Sequence, residues 1–145
     1  MLENSKKDML VKTLMNTELA HKKLLEKELS DVGVHSGQFK IIMFLKERKN
    51  NPPSQKDIAE AFGISSAAVA ISIKKLEDAG LVSKNVFDKD NRVNNITLTE
   101  KGLKTADITT ETVYKAFDRV FSVLSGDEII TMCKCLEKIN NALEQ

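Results

Sequence analysis

No run of apolar residues in this 145-residue chain approaches the roughly 20 needed to cross a bilayer. Met1 to Asp8 mixes lysines with acids around no apolar centre, so no secretory signal is expected there. A cytoplasmic protein without a membrane role is the expectation. Formal net charge is only +1, so bulk charge does not announce a nucleic-acid binder, and distribution matters more than the sum. There are two histidines and two cysteines. His21 and His35 have no partner histidine or cysteine at metal-binding spacing, although Glu18 and Glu28 share a helix with His21; both are read as structural or solvated, with no metal and no cofactor. Cys133 and Cys135, two apart in a helical stretch, point to different faces and can neither pair locally nor share a metal. They read as small apolar residues, with a thiol sensor as the alternative. No phosphate-binding loop, nucleophile–base pair or paired metal ligands stand out, so an enzyme is not expected. Repeats, low-complexity tracts and interdomain linkers are missing too, which leaves one ordinary-sized domain.

What is present is a sequence of well-punctuated helices. Ser5 to about Ser30 carries Met9, Leu10, Thr13, Leu14, Thr17, His21, Leu24 and Glu28 at three- and four-residue steps, and Gly33 ends it. A second helix is predicted from Ser36 to Lys49, with Phe39, Ile42, Met43 and Leu45 inward, until Asn50-Asn51-Pro52-Pro53 breaks it. Ser54-Gln55-Lys56-Asp57 resembles a capping box and opens a third helix reaching Phe62. Gly63 stops that helix, Ser65 is a natural N-cap for a fourth from Ser66 to Ala79, and Gly80 follows its end. β-Branched runs at Leu81–Phe87 and Val93–Leu98 flank a charged turn, Asp88-Lys89-Asp90-Asn91-Arg92. Thr99 caps a helix from Glu100 to about Leu124. Ser125-Gly126-Asp127-Glu128 opens the last helix, which extends to Leu143.

A helix-turn-helix followed by a hairpin is a device for gripping duplex DNA. On the fourth helix, Ala68, Val69, Ser72, Ile73 and Leu76 fall on the predicted inward face, and Ser66, Ala67, Ala70, Ile71, Lys74 and Lys75 on the outward one. Ser66 can donate or accept a hydrogen bond. Ala67, Ala70 and Ile71 can touch thymine methyls but cannot make the bidentate contacts that read guanine or adenine, which weakens direct readout or biases it toward A·T-rich sites. Lys74 and Lys75 suit phosphates. At the turn, Arg92 can enter a narrow minor groove, with Asp90 orienting it and Lys89 on a phosphate. Ser54, Gln55 and Ser65 complete the candidate contacts. Between Ser65 and Lys104 there are seven basic and five acidic residues, a modest local excess. Both the helix face and the turn, taken singly, also fit ordinary solvated surface.

In combination they are more specific. Ser54-x₃-Ile58-Ala59, Phe62-Gly63-Ile64-Ser65, Leu76-Glu77-x₂-Gly80-Leu81-Val82, Asp90-x-Arg92 and Leu98-Thr99-x₂-Gly102, with Gln38-Phe39 before them, resemble the MarR family of winged helix-turn-helix regulators over nearly the whole chain. The resemblance implies a mainly α fold with a small β-hairpin wing. Residues 34–102 would form the DNA-binding core, and 1–33 and 103–145 the helices of an obligate homodimer. It implies a recognition helix at Ser65 to Ala79, Arg92 in the minor groove, repression at a pseudo-palindromic operator, and release by a small apolar or phenolic effector. The family's effector pocket maps near His21, Leu25, Phe39, Met43 and Tyr114. The family's redox-sensing branch has its cysteine near the first helix, where this chain has none. The chain departs from the family pattern at Ala68 and Ala70, where Ser or Thr is common, at Ile71, often basic or polar, and at His35, often Ser or Thr. The apolar face that results supports the competing expectation, a winged-helix module that binds a protein instead of a specific DNA site.

Overall fold

The computed structural model describes residues 2–86 and 94–144. Its order is α1 (Leu2–Asp31), α2 (Ser36–Glu47), α3 (Gln55–Phe62), α4 (Ser66–Asp78), β1 (Val82–Val86), β2 (Asn94–Leu98), α5 (Glu100–Phe121) and α6 (Gly126–Leu143). The expected mainly α architecture with one hairpin is therefore present, with helix ends within a few residues of expectation. Phe87 to Val93, including Lys89, Asp90 and Arg92, lies outside the described residues.

The chain divides into two compact units, residues 1–113 and 114–145. The boundary falls inside α5, whose first half belongs to the first unit. Ala106 is buried in its core, Lys46 Nζ lies 2.9 Å from Asp107 Oδ1, and the Thr110 hydroxyl reaches Met43 Sδ at 3.2 Å.

In the first unit, helix periodicity selects what is buried. Ile41, Ile42 and Leu45 of α2, Ile58 of α3, and Val69, Ile73 and Leu76 of α4 meet Leu81, Val82 and Ile96 in one core. Phe44 and Phe62 add an edge-on ring contact at 5.4 Å between centroids. Ala68, expected inward with Val69, is exposed instead. It sits in the first turn of α4, where its backbone N–H serves the cap, donating to Ser65 Oγ at 3.1 Å. The strands are antiparallel, with Val82 opposite Leu98 and Lys84 opposite Ile96.

One pairing has no local signature. The Pro53 carbonyl accepts the Ile96 N–H at 2.8 Å, and Ser54 bridges to Asn95 beyond it. Pro53 thus does more than end α2. A proline has a carbonyl to give and no N–H to leave unpaired, so it suits a short edge segment beside a strand. This contact joins the start of α3 to the hairpin.

The second unit is governed by its own cap. Ser125 Oγ accepts the Glu128 N–H at 3.3 Å, and the Ser125 N–H donates to Glu128 Oε2 at 2.8 Å. That pairing, backbone hydrogen bond first, holds the Glu128 carboxyl below its ordinary range. None of the α6 side chains is buried. Ile129, Ile130 and Leu136 of α6 are exposed, as are Cys133 and Cys135, which do not serve as core residues within this unit.

Candidate nucleic-acid interface

Two glycine-terminated helices build the candidate interface. Gly63 (φ +61°) ends α3 in the left-handed region, and the Ile64 N–H returns to the Ala59 carbonyl at 3.2 Å. Gly80 (φ +72°) ends α4 in the same way, with the Leu81 N–H on the Leu76 carbonyl at 2.9 Å. A side chain at either position would pay the left-handed penalty that glycine avoids. The first ending sets the tight turn between α3 and α4. The second turns the chain directly into β1.

The base of the hairpin is clamped to the end of α4. Thr99 Oγ1 donates to the Gly80 carbonyl at 2.6 Å and accepts the Gly102 N–H at 3.0 Å. The Thr99 N–H reaches the Leu81 carbonyl at 3.0 Å, and Lys101 Nζ the Ala79 carbonyl at 2.8 Å. The two phrases Leu76–Val82 and Leu98–Gly102 are therefore halves of one joint, which sets the hairpin's direction relative to α4.

On α4, Ser66, Ala67, Ala70, Ile71, Lys74 and Lys75 are all exposed. Ile71 is 60% exposed and Ile64, in the preceding turn, 42%. Lys74 does not extend freely: its Nζ lies 2.8 Å from Asp78 Oδ1, and that hydrogen bond raises its pKa. A phosphate would have to displace Asp78 to reach it. Ser65 spends a lone pair on the cap and keeps its proton to donate. Ser54 is more fully occupied. Its hydroxyl accepts the Asp57 N–H at 3.1 Å and donates to Asp57 Oδ2 at 2.9 Å, while its own N–H donates to the same carboxylate oxygen at 2.8 Å. The hydroxyl of Ser54 is a structural cap, and these bonds hold the Asp57 carboxyl below its ordinary range, the backbone bond contributing most. Gln55 is half-buried at the first position of α3.

Among the sequence-predicted effector residues of the first unit, Leu25, Phe39 and Met43 are half-buried and His21 is exposed; Tyr114 belongs to the second unit and is exposed. His35 caps α2 through its backbone N–H, which donates to Gln38 Oε1 at 3.1 Å. A cavity of about 230 Å³ that the sequence did not suggest lies between Leu45, Arg48 and Pro52 on one side and Ile96, Leu98 and Leu103 on the other. Among the described residues, no group of three or more His, Cys, Asp or Glu side chains is placed to hold a metal, and no helix is long and apolar enough to cross a membrane.

Helix, glycine turn, helix and clamped antiparallel hairpin define a winged helix-turn-helix protein. Comparison with known proteins narrows this. The MarR family profile matches residues 31–92, which include α2, α3, α4 and β1, and over that segment the chain is similar to the family. It is 26% identical over 117 residues to the HTH-type transcriptional regulator BilQ of Clostridium symbiosum, a match spanning 81% of this chain and 80% of the relative. AbsC, a MarR-family transcriptional regulator from Streptomyces coelicolor, has a similar fold, with a TM-score of 0.84 at 24% identity over 96% of this chain and 95% of that one. The MepR–DNA complex of S. aureus superposes with a TM-score of 0.74 at 23% identity, covering 92% of this chain and 94% of that one.

Proposed function

We propose that this chain is a transcription regulator that binds duplex DNA as a homodimer in the cytoplasm, with α4 in the major groove and the hairpin alongside. The observation that carries the reading is the joint at Thr99. It fixes an exposed helix face and a hairpin relative to one another, and α4 and β1 lie within the segment that matches the MarR family. Repression at a pseudo-palindromic operator, with release by a small apolar or phenolic effector, is the finer form of this reading.

Dimerisation is supported by apolar surface that the chain leaves uncovered. On α1, Met9, Leu10, Val11, Met15 and Leu19 are each at least half exposed. On α6, Ile130 is 54% and Leu143 78% exposed. Thirty residues of α1 extend about 45 Å at 1.5 Å per residue, and helices in water owe most of their stability to packing of an apolar face. A second copy supplies that packing symmetrically. It also brings two recognition helices to the spacing of a DNA turn, roughly 34 Å.

Fluorescence anisotropy of the purified protein against the duplex upstream of its own gene and a scrambled duplex, across a salt series, tests the reading. A preference of roughly a thousandfold or more, with affinity falling steeply as salt rises, is the expected result. Absence of binding to either duplex at low salt would reject it. The second reading, a protein-binding module, is favoured only by the apolar exposure of Ile64 and Ile71. It requires a protein partner that binds α4 and is not displaced by duplex DNA.

A further inference from the structure

The outward face of α4 is short of hydrogen-bonding side chains where a base-reading helix uses them. Its first two turns present Ser66, Ala67, Ala70 and Ile71, all exposed, and Ile71 has 60% of its surface in water. The polar groups nearby are largely occupied. Ser65 accepts the Ala68 N–H, Ser54 is closed into its reciprocal pair with Asp57, and Lys74 is held by Asp78. Neither alanine nor isoleucine can donate to a guanine or adenine edge. The one base feature in the major groove that rewards an apolar side chain is the 5-methyl group of thymine.

Building on the DNA-binding reading above, we propose that this chain selects its site by contact with thymine 5-methyl groups, with Ile71 as the specificity-determining residue. Ala67 and Ala70 are the small neighbours that let the helix backbone approach the groove floor closely enough for Ile71 to reach a methyl. Lys75, exposed one turn beyond Ile71, and Lys74, once Asp78 yields it, add charge that suits a polyanion. That arrangement of methyl-seeking surface beside cations fits DNA better than an apolar protein partner. Selection of this kind does not rest on hydrogen bonds. It therefore responds to removal of a methyl even when base pairing and the minor-groove edge are unchanged.

The test begins with duplexes enriched from a random pool by the full-length protein. The best duplex is resynthesised with deoxyuridine in place of each thymidine in turn, and affinities are measured for the wild type and Ile71→Ala. The substitution is at an exposed helix position and alanine is the best helix former, so folding is preserved. At one or more positions in each half-site, wild-type binding should weaken about fourfold on loss of one buried methyl, and Ile71→Ala should bind the thymidine and deoxyuridine duplexes alike. Wherever a T·A pair is changed to C·G at a sensitive position, methylating that cytosine at C5 should recover part of the loss. A flat deoxyuridine scan in the wild type overturns methyl readout while leaving DNA binding intact. Sensitivity that persists unchanged in Ile71→Ala removes Ile71 from the role. If no duplex is enriched at all, the DNA-binding reading fails first and this inference with it.

Discussion

Gly102 stands so close to Leu81 that a β-carbon on it would overlap the Leu81 carbonyl oxygen and come within 3.2 Å of Leu98 Cδ2. That carbonyl already accepts the Thr99 N–H. The glycine is needed for space, and the space lets the first turn of α5 lie against the strand that follows α4.

Gly102→Ala should therefore destabilise the protein by about 3 kcal/mol, the upper part of the usual range for overpacking, because the atom it strikes is backbone and cannot swing aside. Gly37→Ala is the control: nothing lies within 4 Å of a β-carbon there, and in a helix the change should be neutral or slightly stabilising. Urea unfolding of the two variants gives the comparison, and equal midpoints would discredit the joint.

The Ser54–Asp57 cap predicts a pH dependence. Asp57 has its folded-state pKa lowered, so its contribution is complete above the unfolded value, about 3.9, and is lost as pH falls through the folded value. Ser54→Ala should cost about 1 kcal/mol at neutral pH and reduce the acid-side loss. Asp57→Asn should also reduce that loss. Thermal melts between pH 2 and 7 measure it, and an acid limb identical in Asp57→Asn and wild type would show that Asp57 contributes nothing to it.

Covering the α6 stripe by a second copy predicts that Leu136→Glu shifts the protein to monomer in sedimentation equilibrium and weakens operator binding at least tenfold. The cysteines report on the same surface. Cys133 shares the stripe of Ile129 and Leu136, whereas Cys135 lies off it, so in the dimer one thiol per chain should react quickly with a disulfide reagent and the other slowly. Two fast thiols, or a Leu136→Glu dimer, would place the interface elsewhere.

Arg92, in the segment outside the described residues, carries the sequence's expectation of minor-groove contact. Arg92→Ala should weaken binding to the enriched duplex by roughly five- to 160-fold, the span of about 1–3 kcal/mol for a specific contact, with the dimer unchanged. An unaltered dissociation constant would sink the wing assignment.

Much of the helix-turn-helix was legible beforehand because its signals are local. Ser65 caps α4 three residues from the N–H it serves, and Gly63 and Gly80 stop their helices by backbone conformation alone. The spacing of Val69, Ile73 and Leu76 named a buried face that the fold then used. Ala68 was misplaced by that same periodicity, since a helix's first turn can belong to the cap and not to the core. The pairing of Lys74 with Asp78 is equally local, since residues four apart share a helix face.

What the sequence determined by itself was the order of elements, their ends and the residues of one apolar face, all fixed by interactions within about five positions along the chain. Tertiary structure decided what distant segments do to each other. Pro53 pairs with Ile96, Gly102 admits the Leu81 carbonyl, and the first half of α5 joins the first unit through Asp107 and Thr110. It also decided that Met9 and Met15 of α1, in the first unit, and Ile130 and Leu143 of α6, in the second, are exposed. Periodicity marks a side chain as apolar, but burial requires a surface to meet, and that is set by parts of the chain far apart in sequence.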